Sequence, residues 1–305
     1  MARPGSRDPS AGSDADVGPT VARELVRSRL KALREASELS SATVAEHTGW
    51  STSKLNRIEN GEVTVQPFEL RALLSYYGVA EGEVATLARL SRVSRARQWY
   101  SKHRLEGDFQ RFVAYEYEAS VINIWQILFF PGLLQTEEYA RAITALSMRR
   151  SPDHEDVLSR VKLRMDRQQE FRERLTRPHP PRIVAVIDES VLHRPVGGPD
   201  CLRRQIDHVL DLAERQPEVY TIAVTPMDLA HHSGLGGTFE LLQFDTPGHD
   251  DVLYVEAAAG ASSLQMSPVE DSLFRAIMQD LLTYGRTGDE AIEMIRNART
   301  TLPPP

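Results

Sequence analysis

The stretch "VAEHTGWSTSKLNRIENG", Val44 to Gly61, decides how the chain is read. A short run with Val44 and Ala45 inward ends at Gly49, and Ser51 is a natural N-cap for a second run whose Leu55 and Ile58 face inward. Asn60-Gly61 closes that second helix. A helix start ordinarily gains from Asp or Glu in its first turn, because the aligned peptide dipoles leave it positive. Here Ser51, Thr52, Ser53 and Lys54 occupy the turn, with no carboxylate among them. A bare positive helix end edged by hydroxyls and an ammonium suits phosphates and base edges. With Leu55 and Ile58 inward, Asn56 and Arg57 project outward. Asn pairs bidentately with adenine and Arg with guanine, each worth about 1–3 kcal/mol of discrimination. Spacing alone describes any helical hairpin; the polar chemistry of the second helix is what points to double-stranded DNA.

Upstream, Val26, Leu30 and Leu33 recur four and three apart, and Ser40 or Ser41 caps the first of the two short helices. Downstream, "QPFELRALLSYYGV" carries Pro67 at a first helical turn with Leu70, Leu73 and Leu74 on its inner side. These four helices predict an all-α helix-turn-helix head over residues 20–82. Residues 83–105 read as a helical linker into a second domain. Residues 1–19, rich in Gly, Pro, Ser and Asp, and residues 299–305 read as disordered tails.

From 106 to 298 the pattern changes. "RIVAVIDESVL", "EVYTIAVTPM", "FELLQF" and "VLYVEAA" are β-prone runs, and "CLRRQIDHVLDLAERQ" between the first two is helical by Leu202, Ile206, Val209, Leu210 and Ala213. Strand, helix, strand and a hairpin predict an α+β (mixed α/β) domain with a mixed sheet. Ser267 to Glu270 and Thr287 to Glu290 fit capping boxes at two C-terminal helix starts.

The 305 residues carry a formal net charge of -7, which taken whole argues against a nucleic-acid partner. The charge is uneven, however. Residues 1–105 hold 16 basic and 12 acidic side chains, and the remaining residues 20 and 31. Phosphate attraction is screened beyond about 10 Å, so a locally basic head on an acidic body remains able to bind DNA. No apolar run spans a bilayer, the N-terminus lacks a signal-peptide core, and the single Cys201 suits a reducing compartment, so a cytoplasmic, nucleoid-associated protein without membrane contact is expected.

"RLKALREASELSSATVAEHTGWSTSKLNRIENGEVT" resembles the helix-turn-helix of the Xre family of phage-repressor-like regulators. The resemblance rests on Leu33-Arg34-Glu35, Val44-Ala45, Gly49, Ser53-Lys54-Leu55 and Arg57-Ile58-Glu59 with Gly61, and covers residues 21–79. It implies that Thr52 and Ser53 face base edges and that Lys54, Asn56 and Arg57 meet bases or phosphates. It further implies that Asn60 and Ser41 contact phosphates, and that Glu59 pairs with Arg34 structurally. The family often has Gln where this chain has Ser41 and Thr52, so its base preference does not transfer. "FFPGLLQTEEYARAI", "RQQEFRERLTRPHPPRIVAVIDESVLHRPVGGP" and "HHSGLGGTFELLQF" followed by "DVLYVEAAAG" resemble the C-terminal domain of WhiJ-like actinobacterial regulators over residues 95–285. That resemblance implies a DNA-binding head on a body of unsettled role, often with a small protein encoded by an adjacent gene as partner.

The body offers polar clusters that resemble chemistry. Asp188-Glu189 with His193 follow a strand but read as caps of a strand-to-helix turn. His231-His232 lie adjacent, on opposite faces if extended, and do not read as a metal site. "GLGG", Gly234 to Gly237, precedes a strand where a phosphate loop would open a helix, and reads as a turn. Cys201 has no activating partner. No catalytic residue, metal or cofactor is assigned. "VINIWQILFFPGLLQTEEYA" reads as core under a Pro-Gly turn, or as part of an effector pocket formed by Trp125, Gln135, Tyr139, Arg167 and Glu189. Arg164, Arg167 and Gln168 read as a solvated helix face.

The expected function is sequence-specific DNA binding in transcription regulation, without enzymatic chemistry. One helix reads too few base pairs for tight binding, so a homodimer is expected, with the body dimerising or sensing an unknown small-molecule effector or a small protein. The alternatives are an antitoxin-like protein that neutralises a neighbouring gene product and an enzyme domain fused to a DNA-binding head.

Overall fold

The computed structural model describes residues 17–105, 107–229, 232–256, 263–266 and 268–303. They divide into two compact units, Met1–Lys102 with Asp245–His249, and His103–Phe244 with Asp250–Pro305.

In the first unit, α1 (Pro19–Ala36), α2 (Ser41–Thr48), α3 (Thr52–Glu59), α4 (Pro67–Tyr76) and α5 (Glu81–Val93) pack around one core. That core takes Leu30 from α1, Val44 from α2, Leu55 and Ile58 from α3, Leu70, Leu73 and Leu74 from α4, and Val84, Leu87 and Leu90 from α5. Each short helix is terminated by its own residues. The Ser40 hydroxyl accepts from the Thr43 amide at 3.0 Å, and Gly49 ends α2 in the left-handed region at φ 69°. The Ser51 hydroxyl accepts from the Lys54 amide at 3.1 Å. The first part of the stretch expected as a helical linker, residues 83–93, lies in α5, a fifth helix whose apolar residues help close the head. The head therefore extends beyond residue 82, because four helices alone would leave the flanks of α1 and α4 uncovered.

In the second unit, α6 (Gly107–Glu118) leads into β1 (Val121–Gln126), followed by α7 (Glu137–Met148), α8 (Glu155–Arg174), β2 (Arg182–Asp188), α9 (Ser190–His193), α10 (Pro199–Arg215) and β3 (Tyr220–Thr225). Then come β4 (Phe239–Gln243), β5 (Val252–Val255), β6 (Ser263–Gln265), α11 (Pro268–Tyr284) and α12 (Gly288–Thr301). The sheet order is β3-β2-β1-β4-β5-β6, with β1, β2 and β3 parallel and β4, β5 and β6 antiparallel to their neighbours. The chain thus starts at the middle strand, builds one side through helical crossovers, then returns to build the other through close antiparallel pairing. The mixed sheet inferred from the sequence is present.

Its central strand is a different matter. "VINIWQ" pairs with β2 on one side and β4 on the other, and Ile122 through Gln126 are all buried. A strand covered on both faces shows no alternation, so its pattern does not announce it. Asn123 is tolerated there because its amide donates to Leu241 O at 3.2 Å and to Gln243 Oε1 at 3.0 Å.

Three further expectations change. Of the two capping boxes, Ser267 lies outside the described residues, and at Thr287 no side-chain cap bond forms; Glu290 instead lies 3.5 Å from Arg286. The C-terminal helix runs to Thr301, past the expected tail boundary at 299. The face of Arg164, Arg167 and Gln168 is not solvated. Arg167 and Gln168 are buried, because Glu116 on α6 and the carbonyls of Gly132 and Gln135 supply partners that helical spacing cannot reveal.

Candidate nucleic-acid interface

The first turn of α3 stands exposed at Ser51, Thr52 and Ser53, as do Asn56, Arg57 and Asn60 further along, while Leu55, Ile58 and Glu59 are buried. The amphipathic split therefore falls where the residue types put it. Ser41, half-buried, opens α2, and Ser40 rather than Ser41 is the cap. Arg57 lies 3.5 Å from Glu62, with both side chains more than half exposed, and such a pair holds neither firmly in place.

Two contacts fix α3 in this pose. Arg34 donates from Nε to Glu59 Oε1 at 2.7 Å and from Nη2 to Glu59 Oε2 at 2.9 Å, a bidentate bridge from α1 to the last turn of α3. Arg34 also donates to Leu39 O at 3.1 Å, tying in the turn before α2. Its guanidinium is held charged more firmly than usual, chiefly through the hydrogen bond with Glu59. Glu59, 6% exposed, has an inward role, as the resemblance implied.

The second contact was not legible in the sequence. Lys54 Nζ lies 2.5 Å from Glu69 Oε1 on α4 and 4.3 Å from the centre of the Trp50 ring, so the ammonium is clamped between a carboxylate and an aromatic face. Glu69 also accepts from the Gln66 amide at 3.3 Å, capping its own helix. Lys54 and Glu69 are fifteen residues apart on different helices, and no periodicity links them.

The five residues read as an effector pocket do not converge. Trp125 is wholly buried on the sheet face that also carries Val186, Phe239 and Leu253 and packs with Met278 and Leu281 of α11; its Nε1 donates to Gly234 O at 2.8 Å. Arg167 serves the opposite face, where it grips Glu116 at 2.8 and 2.5 Å. Gln135 donates to Phe130 O at 2.6 Å and accepts from Arg164 at 2.8 Å, and the Tyr139 ring meets Phe130 edge-on. Glu189 accepts from the Met227 amide at 2.8 Å. Trp125 is on β1, Tyr139 on α7 and Arg167 on α8, whereas Gln135 and Glu189 lie in turns, so different elements carry what the sequence reading had grouped. Trp125, Gln135 and Arg167 are buried through partners they already hold, Tyr139 is buried against Phe130, and Glu189 serves a turn.

The remaining clusters behave similarly. Asp188 accepts from the Ser190 amide at 3.0 Å, and His193 lies 3.6 Å from Glu189, so these residues secure the turn after β2. His231 lies outside the described residues; His232 meets the Trp125 ring edge-on at 5.6 Å. Gly234, within "GLGG", approaches Trp125 so closely that a Cβ there would lie 2.7 Å from the ring. Cys201 is buried at the start of α10, and burial pushes its thiol up to about 11.

On the other face of the sheet lies a buried charge cluster. Glu240 of β4 is aligned with Ile124 and Tyr254, near Glu116 and Arg167, and its Oε2 has no hydrogen-bond partner among the described residues. Burial and the nearby Glu116 raise its carboxyl to about 8, against the opposing pull of Arg167.

Compared with known proteins, residues 26–87 match a family model described as a helix-turn-helix domain, and residues 109–297 match one described as a domain of unknown function (DUF5753). No curated protein and no solved structure matches the chain.

Proposed function

The chain belongs to the family defined by the domain of unknown function DUF5753, here preceded by a helix-turn-helix DNA-binding domain, and from that premise we propose a sequence-specific transcription regulator that works without chemistry on its target. The observation that carries this reading is the outward face of α3. Ser51, Thr52, Ser53, Asn56 and Arg57 are exposed together on a helix anchored from behind by Leu55, Ile58 and Glu59. Such a helix suits the major groove, with its N-terminal residues at base edges and Asn60 and Ser41 at the flanking phosphates. Asn56 and Arg57 are assigned to base or backbone contact.

A homodimer on a two-fold operator follows from the few base pairs one α3 reaches. We assign dimerisation or effector sensing to the body, with a small molecule or a small protein as the signal, in keeping with its resemblance to WhiJ-like regulators and that of the head to the Xre family.

The test is selection of bound sequences from random duplexes at fixed salt, followed by Asn56→Ala and Arg57→Ala on the selected site. Each substitution is expected to weaken that site, by about 1–3 kcal/mol with relaxed preference at one position where the side chain meets a base, and uniformly across sequences where it meets a phosphate. Failure of the intact chain to enrich any sequence, or unaltered affinity in both variants, overturns the reading.

A further inference from the structure

The stretch from residue 84 to 105 contains Arg89, Arg92, Arg95, Arg97, Lys102 and Arg104 and no Asp or Glu. Cations in the last turn of a helix complement its dipole, and Arg92 in α5 is placed to do so. That effect fades within a turn and does not explain Arg95 and Arg97, which follow the end of α5 at Val93. Arg92, Arg95 and Arg97 are all exposed, and none has a carboxylate within ion-pair range among the described residues. The polar partners they do hold are neutral: Arg95 donates to the Gln66 side chain, and Arg97 to Ser101 Oγ at 3.3 Å.

Their position within the head matters more than their number. The end of α5 is joined to the start of α4, because Ser91 Oγ donates to Val65 O at 2.8 Å and Arg95 reaches Gln66, the N-cap of α4. One turn further along α4, Glu69 holds Lys54 in the first turn of α3. Lys54, the first turn of α4 and Arg95 thus follow one another across a single unit, and Phe68 in that turn is 72% exposed. The ammonium nearest the base-reading turn is partly neutralised by Glu69, whereas the guanidiniums beyond it are not.

We propose that Arg92, Arg95 and Arg97 form a second, sequence-independent phosphate-binding strip, so that duplex DNA contacts both the first turn of α3 and the end of α5. This rests on the DNA-binding reading of α3. Phosphate contacts set register and orientation without reading bases, and each releases counterions, so the strip has a thermodynamic signature separable from base contact.

The experiment uses the full chain. Affinity for the selected operator and for an unrelated duplex is measured across a salt series, for the wild type, for Arg92→Ala/Arg95→Ala/Arg97→Ala, and for the corresponding triple Lys variant. The alanine variant is expected to lose about 3 per bound protomer from the magnitude of the slope of log K against log salt, near 0.9 per phosphate contact, and to weaken both duplexes by the same factor. The lysine variant is expected to keep the wild-type slope, which separates lost charge from lost structure. A folded alanine variant with wild-type slope and affinity overturns the strip alone, as does a lysine variant that loses as much slope as alanine. A wild type that binds neither duplex overturns the strip together with the DNA-binding reading beneath it.

Discussion

Lys54 and Glu69 form an ion pair of 2.5 Å between the first turn of α3 and the first turn of α4, with the Trp50 ring closing the other side of the ammonium. The side chains are 38% and 18% exposed, so the pair is reachable by water and contributes little to stability. Its effect is on position, because the lysine that sequence reasoning assigned to DNA is held by the head itself.

Lys54→Ala should therefore weaken operator binding less than Arg57→Ala does, and Glu69→Gln should strengthen it. The amide oxygen of Gln can still accept from Gln66, so the helix cap survives while the ammonium is released toward phosphate. The expected gain is about 1 per bound protomer in the magnitude of the salt slope. Equal losses from Lys54→Ala and Arg57→Ala, with Glu69→Gln neutral, would show that the clamp opens freely on DNA.

The bridge from Arg34 to Glu59 predicts the opposite division between stability and binding. Removing one partner of a buried pair leaves the other uncompensated, so Glu59→Ala should cost about 3 kcal/mol in denaturant unfolding of the head. Where the variant remains folded, base preference should be unaltered, since Glu59 faces inward. A changed preference in selection from random duplexes would place Glu59 at the interface.

Gly234→Ala should destabilise the body by about 1–3 kcal/mol, because a Cβ there enters the Trp125 ring and the core around that ring has little room to move. Trp125 fluorescence reports the same event through the indole that donates to Gly234 O. A thermal midpoint and an emission spectrum both unchanged from wild type would mean that "GLGG" is slack.

Glu240 makes stability depend on pH. Its folded carboxyl binds a proton up to about 8, whereas an ordinary glutamate releases it near 4.5. The fold therefore holds a proton that the unfolded chain gives up; this contribution is full below about 4.5 and is lost as pH rises through about 8. Asp251 is raised in the same direction by burial, so part of the fall will persist without Glu240. Glu240→Gln should melt higher than wild type at pH 9, with the gap closing toward pH 5. A gap independent of pH would show that Glu240 is ionised in the fold throughout.

Much of the head was legible because its signals are local. Ser51 caps α3 through an amide three residues away, Gly49 supplies the left-handed turn, and Leu55 with Ile58 orients the helix through its own period. The fifth helix was visible but read as a linker, because Val84, Leu87 and Leu90 show amphipathicity without showing what they pack against. In the body, β2, β3, β4 and α10 were visible as runs, but β1 was not, since its neighbours on both sides and both faces remove the alternation that identifies a strand.

The sequence by itself determined which face of α3 turns outward and which residues populate it, since even a helix about two turns long sorts side chains by spacing alone. Only the tertiary structure decided how those residues are held: that Lys54 answers to Glu69, that Arg95 reaches the start of α4, and that Trp125 and Arg167 lie on opposite faces of one sheet. Each of these joins residues from separate elements. Electrostatic pairing and packing depend on distance in space, and distance along the chain does not encode it.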